Sequence, residues 1–234
     1  MSLASSAPVP DTWPHGSLLS QLPIPDRSAL LTLGSRRSFA RGGTLIREGD
    51  SGRDVFVILD GCAKVLGHTQ DGRASILAIR VAGDLIGELS ALDNQPRSAS
   101  VIAATDMSVR VLSWQAFGAF LKLFPQANFL VHRQVLAKLR QATRFRVNLG
   151  GAAVHLRLAL LLCQLATSYG HEEADGILID IPLSQVECAE FVGASVPSVQ
   201  RAFADLRRLG LVKTGYRRIF VTDLGGLYDL ATGP

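Results

Sequence analysis

The spacing of apolar and polar positions changes twice along the chain. From residue 36 to residue 112 the apolar runs are short and end in glycine turns. Residues 44–46 are followed by Glu48, Gly49, Asp50, Ser51 and Gly52; 55–59 end at Asp60-Gly61; 62–66 end near Asp71-Gly72; and 75–79 lead to Gly83-Asp84. Short strands at this spacing, closed by Asp-Gly turns, predict an all-β barrel or roll, with 101–112 supplying the closing strands. Ahead of it, 1–16 are rich in Ser, Ala and Pro and are expected to be a flexible tail. Residues 17–33 carry a lead-in helix broken at Pro23 and Pro25.

The period then becomes helical. Residues 114–124 put Phe117, Phe120 and Leu121 on one side. From 126 to 149 one uninterrupted pattern sets Val131, Val135, Ala142, Phe145 and Leu149 at a and d spacing, with Lys138 as a polar exception. That stripe suits either a partner helix or the chain's own barrel. The length and the basic outer face (Arg133, Arg140, Arg144 and Arg146) suit a dimer helix. Gly150-Gly151 is expected to cap it and to act as a hinge.

A third pattern begins at Ala152. Leu156, Ala159, Leu160, Leu162, Cys163 and Leu165 make a helix apolar on most sides and hence buried, ended by Gly170. A strand is expected over 177–181. Ser184 with Glu187 three residues later is a capping box; its helix stops at Gly193. Ser195 can cap a second helix that tolerates Pro197 in its first turn and buries Val199, Ala202, Phe203 and Leu206. Two short helices joined by a tight glycine turn form a helix-turn-helix, a unit that also occurs as plain packing. Residues 211–215 and 218–221 then predict a wing hairpin, and 223–230 a last short helix. The fold class is α+β. The boundaries are a tail at 1–16, a β-roll domain at 17–124, a helix and hinge at 125–151, and a winged helix-turn-helix domain at 152–234.

Composition narrows the picture only a little. The chain has 234 residues, 47% hydrophobic, enough to bury real cores in two modest domains. A formal net charge of +4 is compatible with nucleic acid without arguing for it. Cys62, Cys163 and Cys188 are odd in number and far apart, which implies no disulfide framework and suits a reducing cytoplasm. No signal peptide is visible, and the apolar run 158–166 is too short to cross a bilayer, so no membrane is expected. No Ser-His-Asp, paired-carboxylate or metal-ligand spacing stands out, so neither an enzyme nor a metal site is expected.

The chemistry concentrates between Gly83 and Val101. Gly87 lets the backbone approach a ligand closely. Residues 88–92 can form one helical turn with free N–H groups. Glu88 offers a carboxylate to sugar hydroxyls, Arg97 a planar fork that matches two phosphate oxygens, and Ser98 a hydroxyl and an N–H. Alternation resumes after Arg97, which predicts that the arginine starts a strand. A surface loop with a Glu–Arg ion pair would have the same residues.

Gly87, Glu88, Arg97, Ser98, Ala99 and Val101 match, over one contiguous stretch, the phosphate-binding cassette of cyclic-nucleotide-binding domains. With the segment from Leu183 to Arg201, including Val192, Gly193, Ala194 and Ser195, the chain resembles the Crp/Fnr family of bacterial transcription regulators over nearly its whole length after Pro14. The resemblance implies a cyclic-nucleotide-binding β-roll, a long dimerisation helix and a winged helix-turn-helix. It implies a homodimer that binds double-stranded DNA under control of a cyclic nucleotide, and that meets RNA polymerase if it is an activator. The implied ligand residues are Ile86, Gly87, Glu88, Leu89, Ser90, Arg97, Ser98 and Ala99, with Ala142 and Thr143 on the dimer helix. Relatives that bind cyclic AMP carry two adjacent hydroxyl residues there; one is missing here, which leaves cyclic GMP as the alternative to cyclic AMP. The implied DNA-binding residues are Ser184, Ser195, Val196, Pro197, Ser198, Gln200, Arg201, Lys213, Arg217 and Arg218. Val196 and Pro197 replace the Arg-Glu pair of well-known members, so the target sequence differs. An iron–sulfur cofactor would need cysteines before Cys62. The other readings of the same fold are a regulator that needs no ligand and a haem sensor using Cys62 and His68.

Overall fold

A computed structural model describes residues 13–68, 74–149, 151–215 and 218–232. Among them lie three four-stranded antiparallel sheets. Two face each other as the roll. One has the order β1 (Ser35–Phe39), β8 (Met107–Leu112), β3 (Val55–Asp60), β6 (Leu85–Ile86). The other runs β2 (Thr44–Ile46), β7 (Ser100–Ala103), β4 (Cys62–His68), β5 (Ala74–Val81).

Strand β3 shows how the layers are held. It is apolar from Val55 to Leu59 because both of its faces are covered. Side chains alternate across a strand, so successive residues enter different cores. Phe56 and Ile58 join Ile46, Val101 and Val109 between the two sheets. Val55, Val57 and Leu59 point the other way, onto Leu18, Leu19, Phe117, Phe120, Leu130 and Val131. Those come from the lead-in helices α1 (Leu18–Gln21) and α2 (Ile24–Thr32), from α4 (Trp114–Leu123) and from α5 (Pro125–Leu149). The break between α1 and α2 falls at Leu22-Pro23; Pro25, expected to interrupt the helix as well, sits in the first turn of α2, where a proline is tolerated. Within the expected tail, Trp13 is buried against this second core, and the Gly16 N–H donates to Ser168 O at 3.2 Å; residues 1–12 lie outside the described residues.

Helix α5 departs from expectation in the use of its faces. Of the expected seam, Val131 is fully buried against the roll and Val135 and Lys138 are half-buried on the same side. That stripe packs on the chain's own roll. A second stripe, Phe129, Leu136 and Leu139, is 60%, 51% and 62% exposed. Residues seven and three apart share a helix face, so α5 carries two apolar stripes and presents the one outside the expected seam. The side chains of residues 144–149, and Gly150 of the expected hinge, lie outside what is described.

The C-terminal part builds a third core. Helix α6 (Val154–Tyr169) buries Leu158, Leu161, Leu162 and Leu165 against α8 (Val196–Arg208), α9 (Leu224–Thr232) and the sheet β11 (Val212–Gly215), β12 (Arg218–Val221), β10 (Gly176–Ile179), β9 (His171–Glu173). The helix-turn-helix is α7 (Gln185–Val192) and α8. Ser184 caps α7 with the reciprocal Glu187 bonds of a capping box, and Gly193 at φ +60° closes it in the left-handed region that glycine tolerates. This core does not stop at the domain boundary: Cys62, Ile76, Ile79, Val81 and Ala104 of the roll belong to it. No helix among the described residues is long and apolar enough to cross a membrane.

Candidate functional site

The cassette folds around Gly87. It sits at φ +80° as the N-cap of α3 (Glu88–Asp93), where a Cβ would lie 2.7 Å from Arg97 Nη1 and 2.8 Å from Asp54 O. Only glycine fits that approach. Arg97 is 6% exposed; Nη1 donates to Gly87 O at 2.8 Å and Nη2 to Asp54 O at 2.6 Å. Its backbone N–H donates to Asp50 O at 2.9 Å, and its carbonyl accepts from the Gly49 N–H at 2.8 Å. Arg97 therefore lies in a loop clasped to residues 49–54, and β7 begins only at Ser100. The expected start of a strand is displaced because Arg97's own backbone bonds go to that loop.

These residues open onto a cavity of about 540 Å³. Ile86, Gly87, Glu88, Leu89, Ser90, Arg97, Ser98, Ala99 and Ala142 all line it. Thr143 does not. It is exposed, and its hydroxyl donates to Leu139 O at 3.0 Å, on the same heptad stripe as Phe129 and Leu136. Helix α5 presents Lys138, Leu139, Gln141 and Ala142 to the cavity, and the further turn of about 100° at Thr143 takes that side chain off the wall. Glu88, 4% exposed, is not idle: Lys138 Nζ donates to its Oε1 at 2.8 Å and to Leu85 O at 2.9 Å. Lys138 is the polar exception of the α5 stripe; an interruption of that kind is the one signal that marks it. Arg80 also lines the cavity and is buried, its Nη1 donating to Ile79 O at 2.7 Å. An arginine ending an apolar strand is the hint to it. Gln164 of α6 and Phe191 of α7 complete the wall, and nothing in their local sequence announces it.

Behind Arg80 lies a buried acid. Asp84 Oδ2 accepts from the Val81 N–H at 3.1 Å and from the Tyr169 hydroxyl at 3.0 Å. Burial pushes its carboxyl above the ordinary range, against the opposing pull of Arg80 and Lys138. Burial also works against the Arg80 charge, but Tyr169, Asp84 and Glu88 outweigh it and hold the guanidinium protonated. Burial lowers Arg97 from its usual value, with Asp54, Glu88 and Asp50 opposing; an arginine nonetheless keeps its charge. Cys62, one residue of the haem reading, is a buried core residue whose thiol is pushed up to about 12 by burial, which disfavours the thiolate that ligation needs. The His68 side chain lies outside what is described. Among the described residues no cluster of His, Cys, Asp or Glu could hold a metal ion.

The second candidate surface is α8 and the wing. Val199, Ala202, Phe203 and Leu206 are buried as expected, and Pro197, Gln200, Arg201 and Arg208 are exposed on the other face. Val196 is half-buried and partly turned onto the third core. The hydroxyls of Ser184 and Ser195 are engaged as caps, accepting from the N–H groups of Glu187 at 3.2 Å and Ser198 at 3.4 Å. Arg201 Nη2 donates to Ser198 Oγ at 3.4 Å. Lys213 and Arg218 stand exposed on the wing, 3.7 Å from Asp175 and 3.8 Å from Asp180. Exposed pairs of this kind are weak and leave both cations available. Arg217 lies outside the described residues.

Residues 36–123 match the cyclic nucleotide-binding domain family and residues 156–230 the Crp-like helix-turn-helix domain family. The chain is 29% identical over 185 residues (79% of this chain, 83% of the other) to a CRP-like cAMP-activated global transcriptional regulator of Mycobacterium tuberculosis. It is 29% identical over 192 residues (82% and 94%) to the transcriptional regulator LdrP of Thermus thermophilus. Among solved structures, a CRP-family transcriptional regulator from Thermus thermophilus superposes with a TM-score of 0.64 at 28% identity, over 83% of this chain and 96% of that one. FixK2 from Bradyrhizobium japonicum superposes at 0.74, over 86% and 99%, with 20% identity, which speaks to the fold alone.

Gly87→Ala should lower unfolding free energy by roughly 1–3 kcal/mol, from the left-handed φ and the clash with Asp54 O. Urea unfolding followed by circular dichroism measures it. An unchanged midpoint would mean that the turn relaxes freely and does not fix the cassette.

Proposed function

The chain belongs to the Crp/Fnr family and is a DNA-binding transcription regulator, not an enzyme, and we propose that it acts in the cytoplasm as a homodimer whose cavity takes a cyclic nucleotide. One observation carries this reading: the whole cassette converges on a single cavity with the Arg97 guanidinium set into its wall. In this reading Arg97 meets the cyclic phosphate and Ser98 adds a hydroxyl. Glu88 and Lys138 share the ribose hydroxyls as acceptor and donor. The apolar walls, Ile86, Leu89, Val135 and Ala142 among them, take the purine. Cyclic AMP is the first candidate, supported by a relative named as cAMP-activated; cyclic GMP is the second, because Ala142 offers no hydroxyl and Thr143 turns away.

The exposed stripe Phe129, Leu136 and Leu139 supports the homodimer. Two such helices side by side would bury it, and the two α8 helices would then read half-sites about one DNA turn apart. On α8, Gln200 and Arg201 have the exposure and chemistry to reach base edges, and Lys213 and Arg218 to reach phosphates. A regulator that needs no ligand is the second reading. It is favoured by the internal partners that the cavity's charged groups already have, Lys138 for Glu88 and two carbonyls for Arg97. Calorimetric titration with cyclic AMP and cyclic GMP decides between the two; heat from neither upholds the ligand-independent reading.

Arg97→Ala should weaken cyclic-nucleotide affinity by at least about tenfold, since a charge-assisted pair contributes roughly 1.5–3 kcal/mol. Unaltered affinity in the same titration would remove the cassette from the site.

Phe129→Glu combined with Leu136→Glu should convert dimer to monomer in sedimentation velocity with the circular dichroism spectrum retained, because both side chains are exposed in the single chain and neither lines the cavity, as Leu139 does. A persistent dimer would move the interface off α5.

Arg201→Ala should lose about 1–3 kcal/mol on a selected site and little on a scrambled duplex. Arg218→Ala should lose affinity evenly on both, with a salt slope shallower by about one unit. Equal losses for both variants on both duplexes would make Arg201 a phosphate contact.

A further inference from the structure

The wall of the ligand cavity is not made by the roll alone. Gln164 of α6 and Phe191 of α7 stand on it beside Arg97 and Glu88, although both belong to the DNA-binding domain. The two domains meet on an apolar surface, where Ile76, Ile79 and Val81 of β5 share a core with Leu158, Leu162 and Phe191. Polar bonds fix the angle. Tyr169, the last residue of α6, donates to Asp84 Oδ2 at 3.0 Å and stands 3.2 Å from Ile79 O. Ile79 O is the same carbonyl that accepts from Arg80, and Arg80 faces the cavity. Lys64 of β4 pairs with Glu187, the residue that closes the α7 capping box.

We propose that the docked DNA-binding domain is a wall of the effector cavity, with Gln164 a direct effector contact, and that the buried Arg80–Asp84–Tyr169 cluster is the joint coupling cavity occupancy to docking. The proposal rests on the cavity being an effector site, as argued above. A ligand that fills the cavity touches Gln164 and Phe191 only while the winged helix is docked, so it binds the docked form more tightly and stabilises it. A ligand shifts an equilibrium by its difference in affinity for the two states, and the coupling is reciprocal. The effector then acts on the DNA-binding domain at first hand, independently of any change along α5. Asp84 transmits the contact because it accepts from a hydroxyl of the other domain and interacts electrostatically with Arg80 in the cavity wall. Once Tyr169 has lost its hydroxyl, the buried acid keeps only partners from the roll.

The test uses the full chain, with Tyr169→Phe and Gln164→Ala as variants. Without ligand, Tyr169→Phe should speed hydrogen exchange of the β5 and α7 amides by about tenfold, the equivalent of one lost hydrogen bond, while the α4 amides stay as they are. Exchange equal to wild type overturns the joint. Gln164→Ala should weaken cyclic AMP binding by roughly threefold to tenfold in calorimetry, with the unfolding midpoint unchanged. Unchanged cyclic AMP affinity overturns the wall. In wild type, cyclic AMP should slow exchange in α7, and that protection should shrink in Tyr169→Phe; equal protection in both also overturns the joint. Should wild type take up cyclic GMP and not cyclic AMP, the same titrations and exchange are read with cyclic GMP; should it take up neither, the cyclic-nucleotide reading falls, and the ligand-free exchange alone upholds or overturns the joint.

Discussion

A guanidinium taken out of water must find its hydrogen bonds inside the protein, and much of the roll's architecture follows from meeting that demand at Arg97. Its side chain holds the carbonyls of Gly87 and Asp54, and its backbone is clasped to Gly49 and Asp50. One residue thus ties the start of α3 to the approach to β3 and to the loop after β2. The carbonyls satisfy the donors without cancelling the charge, so Arg97 brings a guanidinium to a wall that also holds the Glu88 carboxylate. Gly87 is the cost of this arrangement: the left-handed turn that brings its carbonyl to Arg97 excludes every side chain.

What the sequence can reveal depends on the range of the interaction concerned. The cassette is legible because its residues are contiguous, and the caps at Ser184, Ser195 and Gly193 because each is settled within four residues. The strands of the roll are legible from glycine turns, except β6, which like β9 in the C-terminal sheet is too short to show a period. The length of α5 is plain, but the use of its faces is not. An apolar stripe states that something covers it, not what, and this helix has two. Alternation that resumes near Arg97 points to a strand start there; its backbone partners, some fifty residues earlier in the chain, outweigh that local cue. Register puts Thr143 beside Ala142, yet register fixes position along a helix and not which cavity a side chain faces. Gln164 and Phe191 reach the cavity from another domain, where no local pattern applies.

Capping also narrows the DNA-facing surface. A hydroxyl engaged at a helix N-terminus is less free to seek a phosphate, so Ser184 and Ser195 act first as folding residues. The groups without such duties on the exposed face of α8 are longer and more adaptable, Gln200 and Arg201 chief among them. Arg201 already leans on Ser198, which itself bonds to Ser195, so the first turn of the helix is preorganised by its own cap.

Strand β3 has a consequence for how the chain comes off the ribosome. It is apolar on both faces, and its neighbours are not its neighbours in sequence: Val55 pairs with Leu112, as does Ser35 of β1 with Val111. β1 has no partner strand, and β3 only the short β6 (Phe56 with Ile86, Val57 with Leu85), until β8 has emerged, so a continuous apolar segment waits incompletely paired while about fifty further residues are made. Such a segment is prone to pair with another copy of itself. The early helices α1 and α2, which supply Leu18, Leu19 and Leu30 to the outer face of β3, are available throughout that wait. Beyond their place in the finished core, they are the nascent chain's own cover for its most aggregation-prone strand.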